Sequence, residues 1–182
     1  MNVGVDAVRD VVALARGGAA KCGRTRVVAV DGRSGAGKTV FASLLRAELA
    51  APVVAIEQLY GGWDGLENGI DRLVADVFRP LAAGRAAYVP RYDWVSREWD
   101  EPVPLAAPGF LIVEGVGAGA RRAAAYASVL VWLDAAAGLR KRRALARDGE
   151  TFAPFWDMWA AQEEALLARE RTPERADIVI RT

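Results

Sequence analysis

The segment VVAVDGRSGAGKTVF, Val27 to Phe41, decides the fold of this chain. Its first four residues, Val27 to Val30, are small or β-branched and apolar, the composition of a buried strand. A helical period begins at Lys38, where Phe41, Leu44, Leu45 and Leu49 fall on one face at 3.6-residue spacing. Between strand and helix, Gly32, Gly37, Lys38 and Thr39 satisfy G-x-x-x-x-G-K-[ST], the Walker A pattern. Glycines let the backbone curl until successive N–H groups face one point, and the helix N-terminus adds partial positive charge there. Such a loop suits the phosphates of a nucleotide. The backbone through Gly32, Arg33, Ser34, Gly35, Ala36, Gly37 and on to Val40 is the candidate cradle; Lys38 reaches the β- and γ-phosphates, and the Thr39 hydroxyl is a candidate Mg²⁺ ligand. The alternative is an ordinary glycine-rich turn.

Outward from the loop, short β-branched runs alternate with longer segments of helical period, the pattern of a parallel sheet covered by helices on both faces. The runs are Val27 to Val30, Val53 to Ile56, Phe110 to Val113, Val129 to Leu133 and Ile178 to Ile180. Helices are expected over Val5 to Ala15, Lys38 to Leu49, Ile70 to Leu81 with Pro80 marking the end, Ala135 to Ala146 and Pro154 to Arg169. The expected fold is therefore α/β: a P-loop NTPase of three α-β-α layers with a five-stranded parallel sheet, in one domain spanning residues 1–182. Residues 86–109 carry four prolines and mixed aromatics, and read as an irregular or hairpin excursion on the substrate side.

Composition narrows the chemistry. Lys plus Arg number 24 and Asp plus Glu 23, so overall charge favours no nucleic acid, anionic membrane or cationic partner. Cys22 is the single cysteine; an intrachain disulfide and Cys-rich zinc sites are excluded, and a cytoplasmic location is expected. No apolar run approaches a membrane span, and the opening MNVGVDAVRD lacks the apolar core of a signal peptide. Histidine is absent, so proton transfer falls to Asp, Glu, Lys or Tyr.

In open α/β sheets ligands sit beyond the carboxyl ends of the strands. Two acids stand at such ends, Glu57 after VVAI and Glu114 after FLIV. A phosphotransferase needs one carboxylate near the attacking hydroxyl and another near the metal, and this pair can supply both. Taken singly, either acid could equally be solvated or cap the next helix.

VDGRSGAGKT, IEQLYGGWDG, PRYDWVSREW, FLIVEGV, RKRRALARD and the terminal ADIVI occur in the order and approximate spacing of the uridine kinase-like group of P-loop kinases, which the chain resembles from Arg26 to Ile180. The resemblance implies that Glu57, three residues before Tyr60, is the base toward the acceptor hydroxyl, although the family more usually has Asp there. It implies a place for Glu114 in the Mg²⁺ shell. It also implies a short lid, near residues 147–154, from which Arg140, Arg143 and Arg147 approach the triphosphate, with Arg143 stabilising charge on the transferring phosphoryl group. These arginines share one helix face by their i, i+3, i+7 spacing; a solvated basic helix or a nucleic-acid patch is the plainer reading of RKRR. On the acceptor side the resemblance places Tyr92 against a nucleobase and Asp93 near the sugar. Arg97 falls where the pyrimidine kinases have His, and cannot accept a hydrogen bond, so base reading must differ or the acceptor carries a group that wants a cation. Tyr60, Trp63 and Asp64 are expected in the same cleft. Trp63 and Trp94 are open between stacking on a ligand and packing; Trp99, Trp156 and Trp159 are expected to cover the sheet.

The reading is a cytoplasmic kinase that uses ATP and Mg²⁺ to phosphorylate a hydroxyl of a nucleoside or related small molecule. Its rivals are a kinase of another small alcohol (a sugar, pantothenate-like acid or antibiotic) and an ATP-binding regulatory protein without turnover. A GTPase switch is disfavoured, because neither an Asn-Lys-x-Asp segment nor a candidate switch glutamine is found.

Overall fold

The computed structural model describes residues 4–182, apart from the side chains of Asp148 and Glu150. Helix α1 (Val5–Gly17) precedes β1 (Arg26–Asp31), α2 (Lys38–Leu49) and β2 (Val53–Ala55), which passes into a 3-10 turn over Ile56–Leu59. Then come α3 (Leu66–Arg72), a π-type stretch Leu73–Phe78 and α4 (Arg79–Ala82). Strands β3 (Ala87–Asp93) and β4 (Glu98–Leu105) lead to β5 (Phe110–Glu114), α5 (Arg121–Ala124) and β6 (Ala127–Asp134). Helices α6 (Ala137–Phe152), α7 (Trp156–Glu170) and α8 (Thr172–Arg175) and strand β7 (Ile178–Arg181) complete the chain.

The five expected apolar runs form one parallel sheet in the order β2-β5-β1-β6-β7. Alternation along the strands splits the core in two, as a three-layer fold requires. Val28 and Val30 of β1 face α1 and α2, meeting Val11, Phe41 and Leu45. Val27 and Ala29 face the other way, into the layer that holds Ile70, Leu73, Phe78, Trp159 and Leu166. Phe41 and Leu45 are fully buried, each worth about 1.5–3 kcal/mol of apolar burial, which fixes α2 and with it the loop that starts it.

The helix expected over residues 70–81 is longer and less regular than its period implies. It runs without a break from Leu66 to Ala82 and widens to π hydrogen bonding over Leu73–Phe78. Pro80 does not end it: the proline sits at the start of α4, where the π stretch returns to α geometry, so no regular mid-helix bond is forfeited there. The proline-rich excursion is an antiparallel hairpin of β3 and β4, with a register shift between Val89 and Arg91, beside Pro90.

Register delivers the site. Val30 of β1 and Ala55 of β2 both pair with Glu114 of β5. The Walker loop, the turn carrying Glu57 and the Glu114 carboxylate therefore emerge at one edge of the sheet.

Candidate active site

The loop is preformed around its lysine. Lys38 is buried and donates from Nζ to the Arg33 carbonyl oxygen at 3.1 Å, spanning the loop from its far side. Burial pushes its pKa down, against which the carboxylates of Glu114, Glu163 and Asp31 act. Gly37 has φ 93° and is the N-cap of α2 with no side-chain cap bond, which leaves first-turn N–H groups available to an anion. Gly35, at φ +80°, lies against α6 so closely that a Cβ there would sit 2.1 Å from the Arg140 carbonyl oxygen.

Two buried acids that sequence reasoning missed hold this loop. Asp31 accepts from the backbone N–H of Gly32 at 2.7 Å and Gly117 at 3.0 Å through Oδ1, and of Gly119 at 2.9 Å through Oδ2, tying the loop's entrance to the chain beyond β5. Burial raises its pKa, while those N–H groups and Lys38 act in the opposite sense. Glu163 of α7 is the second, with a side chain 1% exposed. Its Oε1 accepts from the Ser34 N–H at 2.7 Å and the Trp159 indole N–H at 3.0 Å, and its Oε2 from Arg33 Nε at 3.1 Å. Asp31 was legible only as the end of an apolar strand, and Glu163 only as one polar residue of a helix, because beyond Gly32 and Trp159 their partners lie 86–88 and 129–130 residues away.

Beyond the loop opens a cleft of about 730 Å³. Lys38, Thr39, Val40, Ser34, Gly35 and Gly37 line one end, together with Glu114. Thr39 donates from Oγ1 to Glu114 Oε1 at 3.0 Å. Burial raises the Glu114 pKa; Lys38 opposes this, Glu57 reinforces it, and the Thr39 hydroxyl opposes it. A hydroxyl and a carboxylate in contact beside a phosphate cradle are hard oxygen donors, and they fit Mg²⁺, which takes one or two protein oxygens and fills its octahedron with phosphate and water. No cluster of three or more Asp, Glu, Cys or His is assembled among the described residues.

Glu57, exposed on its 3-10 turn, also lines the cleft, as do Tyr60, Trp63, Trp94 and Trp159. Trp159, expected only to cover the sheet, thus lines the cleft as well, while Trp156 is buried against Phe152. Arg143 and Arg147 line the cleft from α6. That helix is interrupted at Gly149, whose φ 54° and ψ −133° are not helical, within the expected lid; the side chains of Asp148 and Glu150 in that lid lie outside the described residues.

Other sequence-predicted residues stand elsewhere. Arg140 is buried behind the loop, donating from Nε to the Ala135 carbonyl and from Nη1 to the Ser34 carbonyl, because the loop packs directly on the first turn of α6. Tyr92 is not among the cleft-lining residues; it packs edge-on between Trp94 at 5.4 Å and Trp99 at 5.2 Å. Asp93 turns the β3–β4 hairpin, its Oδ1 accepting from the Val95 and Ser96 N–H groups. Arg97 is exposed in that turn at φ 61°, and Asp64 is exposed beside Gly62. Sequence order brought Asp93, Arg97 and Asp64 near the cleft, but none of the three is among its lining residues.

Solved structures match this arrangement over nearly its whole length. A possible uridine kinase from Bacillus stearothermophilus is 19% identical with a TM-score of 0.70, the match covering 96% of this chain and 97% of that one. The chain has the fold of the P-loop kinases. A provisionally assigned fructose transport system kinase from Silicibacter sp. TM1040 superposes on the same P-loop fold with a TM-score of 0.60 and 17% identity, covering 98% of each chain. No protein-family model and no curated protein sequence matches this chain. Among the described residues no helix is long and apolar enough to cross a membrane.

Proposed function

We propose that this chain is a single-domain kinase, dependent on ATP and Mg²⁺, that transfers the γ-phosphoryl group of ATP to a hydroxyl of a small molecule, a nucleoside or related alcohol. One observation carries the reading: an exposed carboxylate, Glu57, shares a single cleft with the preformed loop around Lys38 and the Thr39–Glu114 oxygen pair. A nucleotide-binding regulator needs the loop but has no use for a further exposed carboxylate in the same cleft. The uridine kinase-like resemblance and the two kinase-named neighbours point the same way.

Each group then has a task. The amides of the loop and the N-terminus of α2 hold the β- and γ-phosphates, and Lys38 sits where charge develops between them. Thr39 and Glu114 would hold Mg²⁺, which would neutralise charge on the triphosphate. Glu57 accepts the acceptor's proton as its oxygen bonds to the γ-phosphorus and the bond from that phosphorus to the bridging oxygen of ADP breaks. Arg143 and Arg147, which line the cleft from the helix leading to the Gly149 break, add positive charge on the phosphoryl side. Arg140 holds the loop against α6 rather than touching the nucleotide.

The test is ATP consumption by purified protein with and without a broad panel of small alcohols. The reading requires ADP formation that depends on an acceptor and disappears in Lys38→Ala; tight ATP binding with no acceptor-dependent turnover would favour the regulatory rival.

A further inference from the structure

Three carbonyl oxygens of the phosphate loop are held by side-chain donors: that of Arg33 by Lys38 at 3.1 Å, that of Ser34 by Arg140 at 3.3 Å and that of Ala36 by Thr182 at 2.9 Å. Lys38 belongs to the loop and Arg140 to the helix packed on it. Thr182 comes from further away, one residue beyond β7 at the edge of the sheet. Its own N–H donates to the Asp134 carbonyl at 2.8 Å, which carries the pairing of β6 and β7 one residue further and fixes where the side chain stands. In a trans peptide the carbonyl of one residue and the N–H of the next point in opposite directions. Holding the Ala36 carbonyl therefore keeps the Gly37 N–H turned away from Thr182, and Gly37 lines the cleft.

The same hydroxyl reaches α6. Arg143, which lines the cleft, donates from Nη1 to Thr182 Oγ1 at 3.2 Å. A hydroxyl has one proton to give and lone pairs with which to receive. Two carbonyls stand within its reach, Ala36 at 2.9 Å and Asp134 at 3.5 Å, and the nearer takes the proton, which leaves a lone pair for the guanidinium. Thr182 is not itself among the cleft-lining residues. It stands behind two groups that are.

Resting on the kinase reading above, we propose that Thr182 is a positioning residue for phosphoryl transfer: its hydroxyl aims the Arg143 guanidinium at the γ-phosphate and, through the Ala36–Gly37 peptide, an N–H into the phosphate cradle. A long side chain gives up rotamer freedom when it meets a phosphate, and one already bonded to the end of a strand has given up part of it beforehand. Support of this kind from a rigid element is what keeps a charged group in its productive place. The Ala36 carbonyl and the Arg143 guanidinium share one hydroxyl, so the loop and α6 are set relative to each other and not only each by itself. A plain clasp between β7 and the loop would stabilise the fold and leave recognition of the γ-phosphate untouched.

The experiment measures the dissociation constants of ATP and of ADP, each with Mg²⁺, in the parent, Thr182→Val, Thr182→Ser, Arg143→Met and Thr182→Val in the Arg143→Met background, with a urea midpoint for each. ADP lacks the γ-phosphate, so the ratio of the two constants reads the groups that meet it. Thr182→Val should lower the preference for ATP over ADP by about tenfold, the scale of one hydrogen bond to a charged group, and Thr182→Ser, which keeps the hydroxyl, should restore it. In the Arg143→Met background Thr182→Val should change that preference by less than about twofold, because the residue through which it acts is gone. A part of the loss that falls on ATP and ADP alike belongs to the Gly37 N–H and should persist in that background. An unchanged preference in Thr182→Val, whatever its urea midpoint, would overturn the proposal, as would an equal drop with and without Arg143. Acceptor-dependent ADP formation, followed with the panel of alcohols named above, separates this from the kinase reading. The expected drop in a protein that phosphorylates no alcohol would support the proposal and remove the kinase reading; turnover with an unchanged preference would do the reverse. A parent that binds neither nucleotide would remove both.

Discussion

Thr39 Oγ1 and Glu114 Oε1 meet at 3.0 Å, joining the phosphate loop to the end of β5. On the proposed function, in which Thr39 and Glu114 would hold Mg²⁺, loss of the Glu114 charge should reach catalysis through the metal. Glu114→Gln is expected to lose most turnover while still folding. Burial raises the Glu114 pKa in the protein without metal. A carboxyl group raised in the folded state stabilises the fold below its unfolded pKa, and that contribution is lost as pH rises through the folded value. Urea midpoints at about pH 4 and about pH 7 should hence show a smaller loss with rising pH in Glu114→Gln than in the parent. An equal loss would contradict the assignment.

Gly35 tests the packing of the loop on α6. A Cβ at this position would lie 2.1 Å from a backbone oxygen of Arg140 and would demand φ +80° of an alanine. The three nearest atoms are all Arg140 backbone, not a flexible side chain, so the loop must shift. Gly35→Ala should weaken ATP binding by about tenfold or more in a titration, since backbone aim at the phosphates is what the shift disturbs. Unchanged affinity would show that the loop re-forms on binding.

Glu163 should behave as a strut. With its side chain 1% exposed it accepts from Ser34, Trp159 and Arg33, and Arg140 approaches within 4.0 Å. Glu163→Ala strands these donors and is expected to cost about 3–5 kcal/mol in denaturant unfolding. Glu163→Gln, which keeps an acceptor for the Ser34 N–H, should lose less and should retain more ATP affinity than Glu163→Ala. Wild-type stability in Glu163→Ala would remove this role.

Cys22 offers a reporter of folding. Its Sγ contacts the Phe78 carbonyl oxygen at 3.4 Å, and burial pushes the thiol pKa up to about 11. At pH 8 roughly one thiol in a thousand is then ionised, by the ordinary titration relation. A disulfide reagent should leave the native protein unlabelled over the time in which it fully labels the urea-unfolded chain; rapid native labelling would contradict the buried placement.

What the sequence revealed follows from how locally each feature is encoded. The strand-loop-helix from Val27 to Leu49 was legible because strand composition, glycine spacing and helical period lie side by side. All five sheet strands were legible as β-branched runs, with ends within two residues of those found. The helix through α3 and α4 was legible over Ile70 to Leu81, but its π stretch was not, since a period of apolar residues cannot distinguish π from α spacing over six positions. The lining of the cleft was legible in part: Glu57, Tyr60 and Trp63 belong to it, whereas Tyr92, Asp93, Arg97 and Asp64 do not. Their placement depends on the hairpin's turn and on the Gly61–Gly62 bend, where φ values are 75° and 133°. Arg140 shares a helix face with Arg143 and Arg147, yet the loop's close approach to the start of α6 claims it.

On the proposed function, Glu57 takes the acceptor's proton in a cleft that binds ATP independently of it. It is tested most directly by measuring, for Glu57→Gln and the parent, both the dissociation constant of ATP and the rate of phosphorylated acceptor formation. The account predicts an unchanged dissociation constant and a rate lower by about 10²-fold or more, the scale of a lost general base. Full acceptor phosphorylation by Glu57→Gln would contradict it.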